Sequence, residues 1–201
     1  MQSENRNRES GDDRRLAIAR AARAIIVERG LEGLRTRDIA ARVGINIATL
    51  HYHVPTKEAL VRLVAESLRD EFREQGLRRP RADLSGLAQL RLEMEDVLET
   101  LAEAPDRLQI MSELVERSRR DPAVAAIIEP MTGHWRSALE AIFERGISDG
   151  TLRADIDPAG AALVFIGAVS GLRLSHSPRD AAVAVLNEIE RAFATPATER
   201  N

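Results

Sequence analysis

Apolar positions recur at three- and four-residue spacing along nearly the whole chain, and no stretch alternates apolar and polar residues at every second position. Ile18, Ala22, Ile25 and Ile26 share a face and predict a helix from Asp13 to Arg29, closed by Gly30. Ile39, Ala40 and Val43 predict a short helix from Arg37 to Val43, with Thr36 at the N-cap position and Gly44 at its end. Asn46 is a second N-cap, opening a helix from Ile47 to Tyr52. Pro55 stops it, because proline disfavours the α conformation in the residue before it. Leu60, Leu63, Val64 and Leu68 predict a longer helix from Thr56 to Gln75, and the segment Gly76 to Pro80 breaks it. Four further segments follow, 84–103, 105–120, 122–148 (long, or kinked at Pro130) and 158–174, and a last helix covers 179–193. Residues 1–12 carry no apolar period and read as a disordered tail, and 195–201 are similar. The expected fold class is therefore all-α, with about nine helices.

Composition narrows the class of protein. At 201 residues the chain is one large domain or two small ones. Hydrophobic residues make up 44% and charged residues 30%, but aromatics only 3%, consistent with helices built from Ala, Leu, Glu and Arg. Cysteine is absent, which excludes disulfides and thiolate metal or redox sites and fits a reducing, cytoplasmic setting. The first eight residues lack an apolar core for a signal peptide. The longest apolar run, Ala159 to Val169, falls short of the roughly 17–25 residues a bilayer requires, so no membrane partner is expected. The net charge of −3 is unevenly spread: residues 1–60 carry ten Arg and one Lys against eight acids, and the remainder carries eighteen Arg against twenty-four acids. A basic front end on an acidic body suits a nucleic-acid module joined to something else, though surface variation alone produces such asymmetry too.

The stretch from Thr36 to Leu60 carries the most specific signal. Two short helices meet at a glycine turn, the arrangement in which a bracing helix sets a second helix into the DNA major groove. Ile39, Ala40, Val43, Ile45 and Leu50 can form the small core that fixes their angle, and Gly44 permits a positive φ. That leaves Asn46, Ile47, Ala48, Thr49, His51, Tyr52 and His53 available to DNA. Small Ala48 and Thr49 allow close approach, and hydroxyl or imidazole groups bond phosphates. Lys57 lies in the first turn of the following helix, whose N-terminus favours an anion. A metal between His51 and His53 is disfavoured, because side chains two apart on a helix diverge. Arg14, Arg15, Arg20 and Arg23 form either a solvated face or a set of phosphate-steering charges.

At these residues the sequence resembles the tetracycline-repressor (TetR) family of bacterial transcription regulators. Thr36, Ile39, Ala40, Gly44, Thr49, Leu50, His53, Lys57 and Leu60 match its pattern, specifically over about residues 14–62, and the connector Gly150 to Pro158 is similar to one common in the family. The resemblance implies a DNA-binding domain over 13–62 and a helical effector-binding and dimerisation domain over 63–195. It implies phosphate contacts from Thr36 and Lys57, base-edge or backbone contact from Arg37, base or backbone contacts from Ile47, Ala48 and Thr49, and phosphate or base contacts from His51, Tyr52 and His53. Three positions depart from the pattern. His51 stands where a tyrosine is usual and shortens the reach. Val54 replaces a phenylalanine. Ile47 is apolar, so it can meet a thymine methyl but cannot form a bidentate base contact.

In the body, large apolar residues read first as core. The resemblance further implies an effector pocket, for which Met94, Leu98, Leu101, Met111, Leu114, Met131, Trp135 and Phe165 are candidates. Adaptable methionine walls suit a small apolar or aromatic molecule, and His134 or His176 can add a polar handle. Residues Ala159 to Val169 are apolar nearly all round, and Ala182, Leu186, Ile189 and Phe193 form a stripe widened by Val183, Ala184 and Val185. One protomer does not easily bury faces this wide, so a homodimer through 158–174 and 179–193 is expected, with Gly160, Gly167, Ala168 and Gly171 allowing close helix approach. The expected function is a ligand-responsive repressor on a double-stranded, pseudo-palindromic operator. The competing reading is an effector-independent, nucleoid-type DNA binder. Catalysis is not expected, since there is no cysteine nucleophile, glycine-rich phosphate loop or H-E-x-x-H pattern, and Asp155 and Asp157 read as turn and cap chemistry. No cofactor or metal is expected.

Overall fold

A computed structural model describes residues 2–174 and 178–196. Among these it contains nine α-helices and no extended strand: α1 (Gln2–Arg29), a 3-10 turn (Leu31–Gly33), α2 (Thr36–Val43), α3 (Ile47–His53), α4 (Lys57–Leu77), α5 (Gly86–Glu103), α6 (Pro105–Ser118), α7 (Pro122–Ser148), α8 (Pro158–Leu174) and α9 (Arg179–Phe193). The all-α expectation holds. Differences lie at the boundaries. α1 runs from Gln2, through the segment expected as a tail over 1–12; no proline interrupts it, and a single Gly11 costs only about 1 kcal/mol of helix propensity. Thr36 is the first residue of α2 and not its cap. Arg35 occupies the cap position, in extended conformation, and bonds nothing there through its side chain. α7 is continuous through Pro130, which has no N–H to return to the Ala126 carbonyl. His176 lies outside the described residues.

The chain forms two compact units whose division differs from the linear one expected at residue 62. The first comprises residues 1–73 and 109–129, so most of α4, most of α6 and the start of α7 belong with the short helices. Its core joins Ile18, Ala22, Ile25 and Ile26 of α1, Ile39 of α2, Leu50 of α3 and Leu60, Val64 and Leu68 of α4, all buried. Two ion pairs tie α1 to α2: the Arg42 guanidinium grips Glu28 through Nη1 and Nη2 at 2.8 and 2.9 Å, and Arg29 pairs with Asp38 at 2.9 Å.

The second unit comprises 74–108 and 130 onward. Its core gathers Leu90, Met94 and Val97 from α5, Leu139, Ile142 and Phe143 from α7, Phe165 and Val169 from α8, and Leu186 and Ile189 from α9. The breaker after α4 is fastened by charge: Arg79 pairs with Asp96 and Glu99, while Arg81 reaches Glu93 at 2.9 Å and Asp96 at 2.6 Å. α5 starts where three acceptors converge. The Gly86 N–H donates to Asp149 at 2.8 Å, the Leu87 N–H to the Thr151 hydroxyl at 3.1 Å and the Ala88 N–H to the Ser85 hydroxyl at 3.3 Å. Asp157 caps α8 by accepting the Gly160 N–H at 2.9 Å, and Asp155 pairs with Arg153 at 2.8 Å, the turn and cap roles expected of them. The connector folds back against the end of α9, with the Thr195 N–H on the Thr151 carbonyl at 3.1 Å.

Within the chain the closest helix approach is at Gly86. A Cβ on Gly86 would stand 2.2 Å from the backbone of Gly146, so α5 and α7 touch main chain to main chain, whereas Gly167 and Gly171 have open space above them. Gly86→Ala is expected to lower stability by about 1–3 kcal/mol, since the obstacle is backbone and cannot swing away; chemical denaturation measures it. The Thr151 hydroxyl, with the Gly86 and Thr151 N–H groups, holds the Asp149 carboxyl below the usual aspartate range. A depressed folded value means stability that is present above the unfolded value and lost as pH falls through the folded one. Asp149→Asn is therefore expected to unfold more easily at neutral pH and to lose less on acidification, as read by thermal melts from neutral pH down through the carboxylate range.

Candidate nucleic-acid interface

The two short helices are held by backbone chemistry at both ends of their turn. Gly44 ends α2 in the left-handed region, at φ 74°, and its N–H reaches back to the Ala40 and Ala41 carbonyls. The Ile45 N–H also returns to Ala40, at 3.0 Å. Asn46, in extended conformation, caps α3 by accepting the Thr49 N–H on Oδ1 at 2.7 Å. Leu50 and Val54 are the buried anchors, so the smaller valine at the departing position still fills the core. Val43 and Ile45 are only half-buried, at the edge of that seam.

With Leu50 turned inward, the opposite face of α3 is left to solvent. Ile47 is 42% exposed and Tyr52 85% exposed. Ala48 and His51 are exposed, Thr49 and His53 half-buried. The Tyr52 and His53 rings meet edge to face at 5.2 Å. Arg37 and Lys57 are exposed, and Thr36 is half-buried. Of the ten predicted DNA residues, Asn46 has a structural task as well, its side-chain oxygen being committed to the cap. The Thr56 hydroxyl caps α4 by accepting the Ala59 N–H at 3.1 Å. Glu58, held ionised by its own backbone N–H and the Thr56 hydroxyl, puts a negative charge in that same first turn. It opposes Lys57 and weakens the turn as an anion site.

Of Arg14, Arg15, Arg20 and Arg23 in α1, two are engaged within the protein. Arg15 donates to the His53 carbonyl at 3.3 Å and approaches Glu66 at 3.9 Å, and Arg23, nearly buried, bonds Glu71. Arg14 and Arg20 remain exposed. Arg15 thus holds the C-terminal end of α3, a role no local pattern signals, because its partners lie 38 and 51 positions along the chain. Among the described residues no group of three His, Asp or Glu is placed to hold a metal ion.

The nine candidate effector residues fall into both units. Met111, half-buried, and Leu114, buried, belong to the first; the other seven belong to the second. There Met94 and Phe165 are buried, and Leu98, Leu101 and Trp135 pack against the same core, while Met131 is half-buried and His134 exposed. The Trp135 indole N–H donates to Glu93 at 2.7 Å, and its ring meets Phe165 edge-on at 6.4 Å. Glu93 is the polar partner the sequence reading missed; it lies 42 positions from Trp135. A cleft of about 140 Å³ in the second unit is lined by Gln75, Arg78, Glu99, Thr100, Glu103, Ala104 and Arg107, none of them a candidate residue.

Residues 18–64 match the family described as bacterial regulatory proteins, tetR family, and residues 86–194 match the C-terminal part of BetI-type transcriptional repressors. The HTH-type transcriptional regulator UidR of Escherichia coli K12 is 29% identical over 115 residues, a stretch that spans 57% of this chain and 57% of UidR. A TetR-family regulator from Agrobacterium tumefaciens superposes with a TM-score of 0.81 at 23% identity, covering 92% of this chain and all of that one. AibR, solved in complex with isovaleryl coenzyme A and operator DNA, superposes with a TM-score of 0.75 at 24% identity, over 92% of this chain and all of its own. No helix among the described residues is long and apolar enough to cross a membrane. The helix-turn-helix built around Gly44 and Asn46, together with these matches over both parts, shows that the chain belongs to the TetR family of bacterial regulators, with a C-terminal part of the BetI type.

Proposed function

We propose that the protein is a ligand-responsive transcriptional repressor that binds a pseudo-palindromic operator as a homodimer. The carrying observation is the solvent face of α3, where Ile47, Ala48, His51 and Tyr52 stand exposed on a helix anchored by Leu50. A short helix presented this way fits a major groove, with Arg37 reaching base edges and Thr36, Tyr52, His53 and Lys57 serving phosphates. Asn46 acts chiefly by setting the start of α3, and Ile47, Ala48, Thr49 and His51 face the bases. The basic balance of residues 1–60 supports an anionic partner.

The dimer reading is supported by α8. Ala161, Ala162, Phe165 and Val169 are buried, yet Leu163 and Val164 are 57% and 56% exposed. They continue into Gly167 and Gly171, which have nothing within 4 Å of a Cβ, so an apolar, low-relief stripe lies open on this helix. The last helix contributes less, since its exposed face carries Asn187, Glu188 and Arg191. A second copy placing α8 against α8 would cover the stripe and space two α3 helices for successive grooves. The effector reading rests on Met94, Leu98, Leu101, Met131, Trp135 and Phe165, with Glu93 as a polar anchor for a small apolar or aromatic molecule. AibR, solved with both a small molecule and operator DNA, supports a protein of this fold that answers to two ligands.

Selection of duplexes from a random library by the purified chain is expected to enrich an inverted repeat, with affinity that falls steeply as salt rises. Enrichment of no sequence would sink the proposal. Arg37→Ala is expected to weaken the enriched site by roughly tenfold, about 1.4 kcal/mol, and non-specific DNA much less. Leu163→Glu is expected to convert a dimer to a monomer in sedimentation and to abolish high-affinity operator binding; an unchanged dimer would move the interface elsewhere. Trp135 is the sole tryptophan, so effector binding at this wall is expected to change its emission and raise the melting temperature together.

A further inference from the structure

At the end of α1 the Val27 carbonyl and the Leu31 N–H lack the bond that a continued helix would give them. If α1 continued, the Val27 carbonyl would accept the Leu31 N–H. Gly30 prevents this: its φ of 69° turns the chain out of the helix after its own N–H has returned to Ile26 at 2.8 Å. Gly30 also sits at the cap of the 3-10 turn and, having no side chain, cannot cap it.

Both groups are met by α6. Gln109 Nε2 donates to the Val27 carbonyl at 3.2 Å, and the Leu31 N–H donates to Glu113 Oε2 at 3.4 Å. One turn further, Arg117 pairs with Glu32 at 2.5 Å and with Asp121 at 3.1 Å. Gln109, Glu113 and Arg117 are four residues apart, so they form one polar ridge along one face of α6. All of these groups belong to the first unit. Leu31 and Leu34 are buried, so the corner itself is fixed in the core; of the bonds that close it, that of Gln109 is exposed and that of Glu113 half-buried. The backbone runs from this corner through Arg35 directly into α2 and α3.

We infer that Gln109, Glu113 and Arg117 are positioning residues for the reading helices: α6 stands in for the helix bond that Gly30 interrupts and so sets the angle at which α2 and α3 leave α1. The inference rests on the operator-binding reading. The exposed ion pair of Arg117 with Glu32 adds little to stability, so its value lies in geometry. The three residues share one face of one helix, so a slide or rotation of α6, continuous from Pro105 to Ser118, breaks their bonds together.

The test uses the full chain and the inverted repeat enriched from a random library, with versions whose spacer is one or two base pairs shorter or longer. The wild type is expected to prefer one spacing. The double variant Gln109→Ala/Glu113→Ala is expected to lose about tenfold of that preference, with circular dichroism and non-specific DNA binding unchanged. Glu113→Gln, which keeps an acceptor for the Leu31 N–H, is expected to retain it. Full spacing preference in the double variant overturns the inference, as does an equal loss on every duplex. Should the double variant not fold, the single Glu113→Ala variant is read in the same way. Hydrogen exchange at the Leu31 amide gives a readout without DNA: Glu113→Ala is expected to speed it about tenfold. If the wild type enriches no sequence, the operator reading fails on its own account, and Leu31 exchange still decides whether α6 holds the corner, an unchanged rate overturning it.

Discussion

A helix of seven residues does not sustain itself in water, because nucleation is costly and so few bonds follow it. α3 therefore exists as a helix only because it is held from outside. Leu50 pins its centre in the core, Asn46 satisfies its first turn, and Arg15 of α1 reaches its last carbonyl, that of His53. Everything a groove would meet is what remains after these commitments. The exposed face of α3 is thus a residue of the packing problem, and its direction is fixed by α1, α2 and α4 jointly.

The same logic explains why α1 carries so much. Its apolar stripe of Ile18, Ala22, Ile25 and Ile26 is fully buried, and its polar residues are spent on neighbours: Glu28 and Arg29 on α2, Arg15 on α3 and α4, Arg23 on α4. Charges that looked available for DNA are partly structural. Among the residues whose side chains are described, Arg14, Arg20, Arg35 and Arg37 stand exposed there, together with Lys57.

What the sequence disclosed follows the range of the interactions. Gly44, Asn46 and Pro55 act within four residues of themselves, so the turn, the cap and the stop could be read from their side chains alone. The apolar periods located every helix, and Asp157 was legible as a cap for the same local reason. Thr36 misled because a threonine before a helix satisfies the pattern whether or not its hydroxyl is used; here the chain enters the helix one residue early. Partners far apart in sequence stayed hidden. Trp135 and Glu93, Arg15 and His53, and Gly86 and Gly146 meet only once the helices are packed, and no spacing rule connects them. Glycine shows the limit well: nothing in the local sequence marks Gly86, placed at a helix start, as the point where two main chains meet.

That contact governs how the second unit can deform. Where α5 crosses α7 at Gly86 and Gly146 there is no side chain to change rotamer and no slack to take up, and the adjoining Asp149 and Thr151 bonds tether the same point. Such a crossing behaves as a fulcrum. Relative displacement of the two helices is therefore most restricted at the start of α5 and least restricted at its far end, towards Leu101.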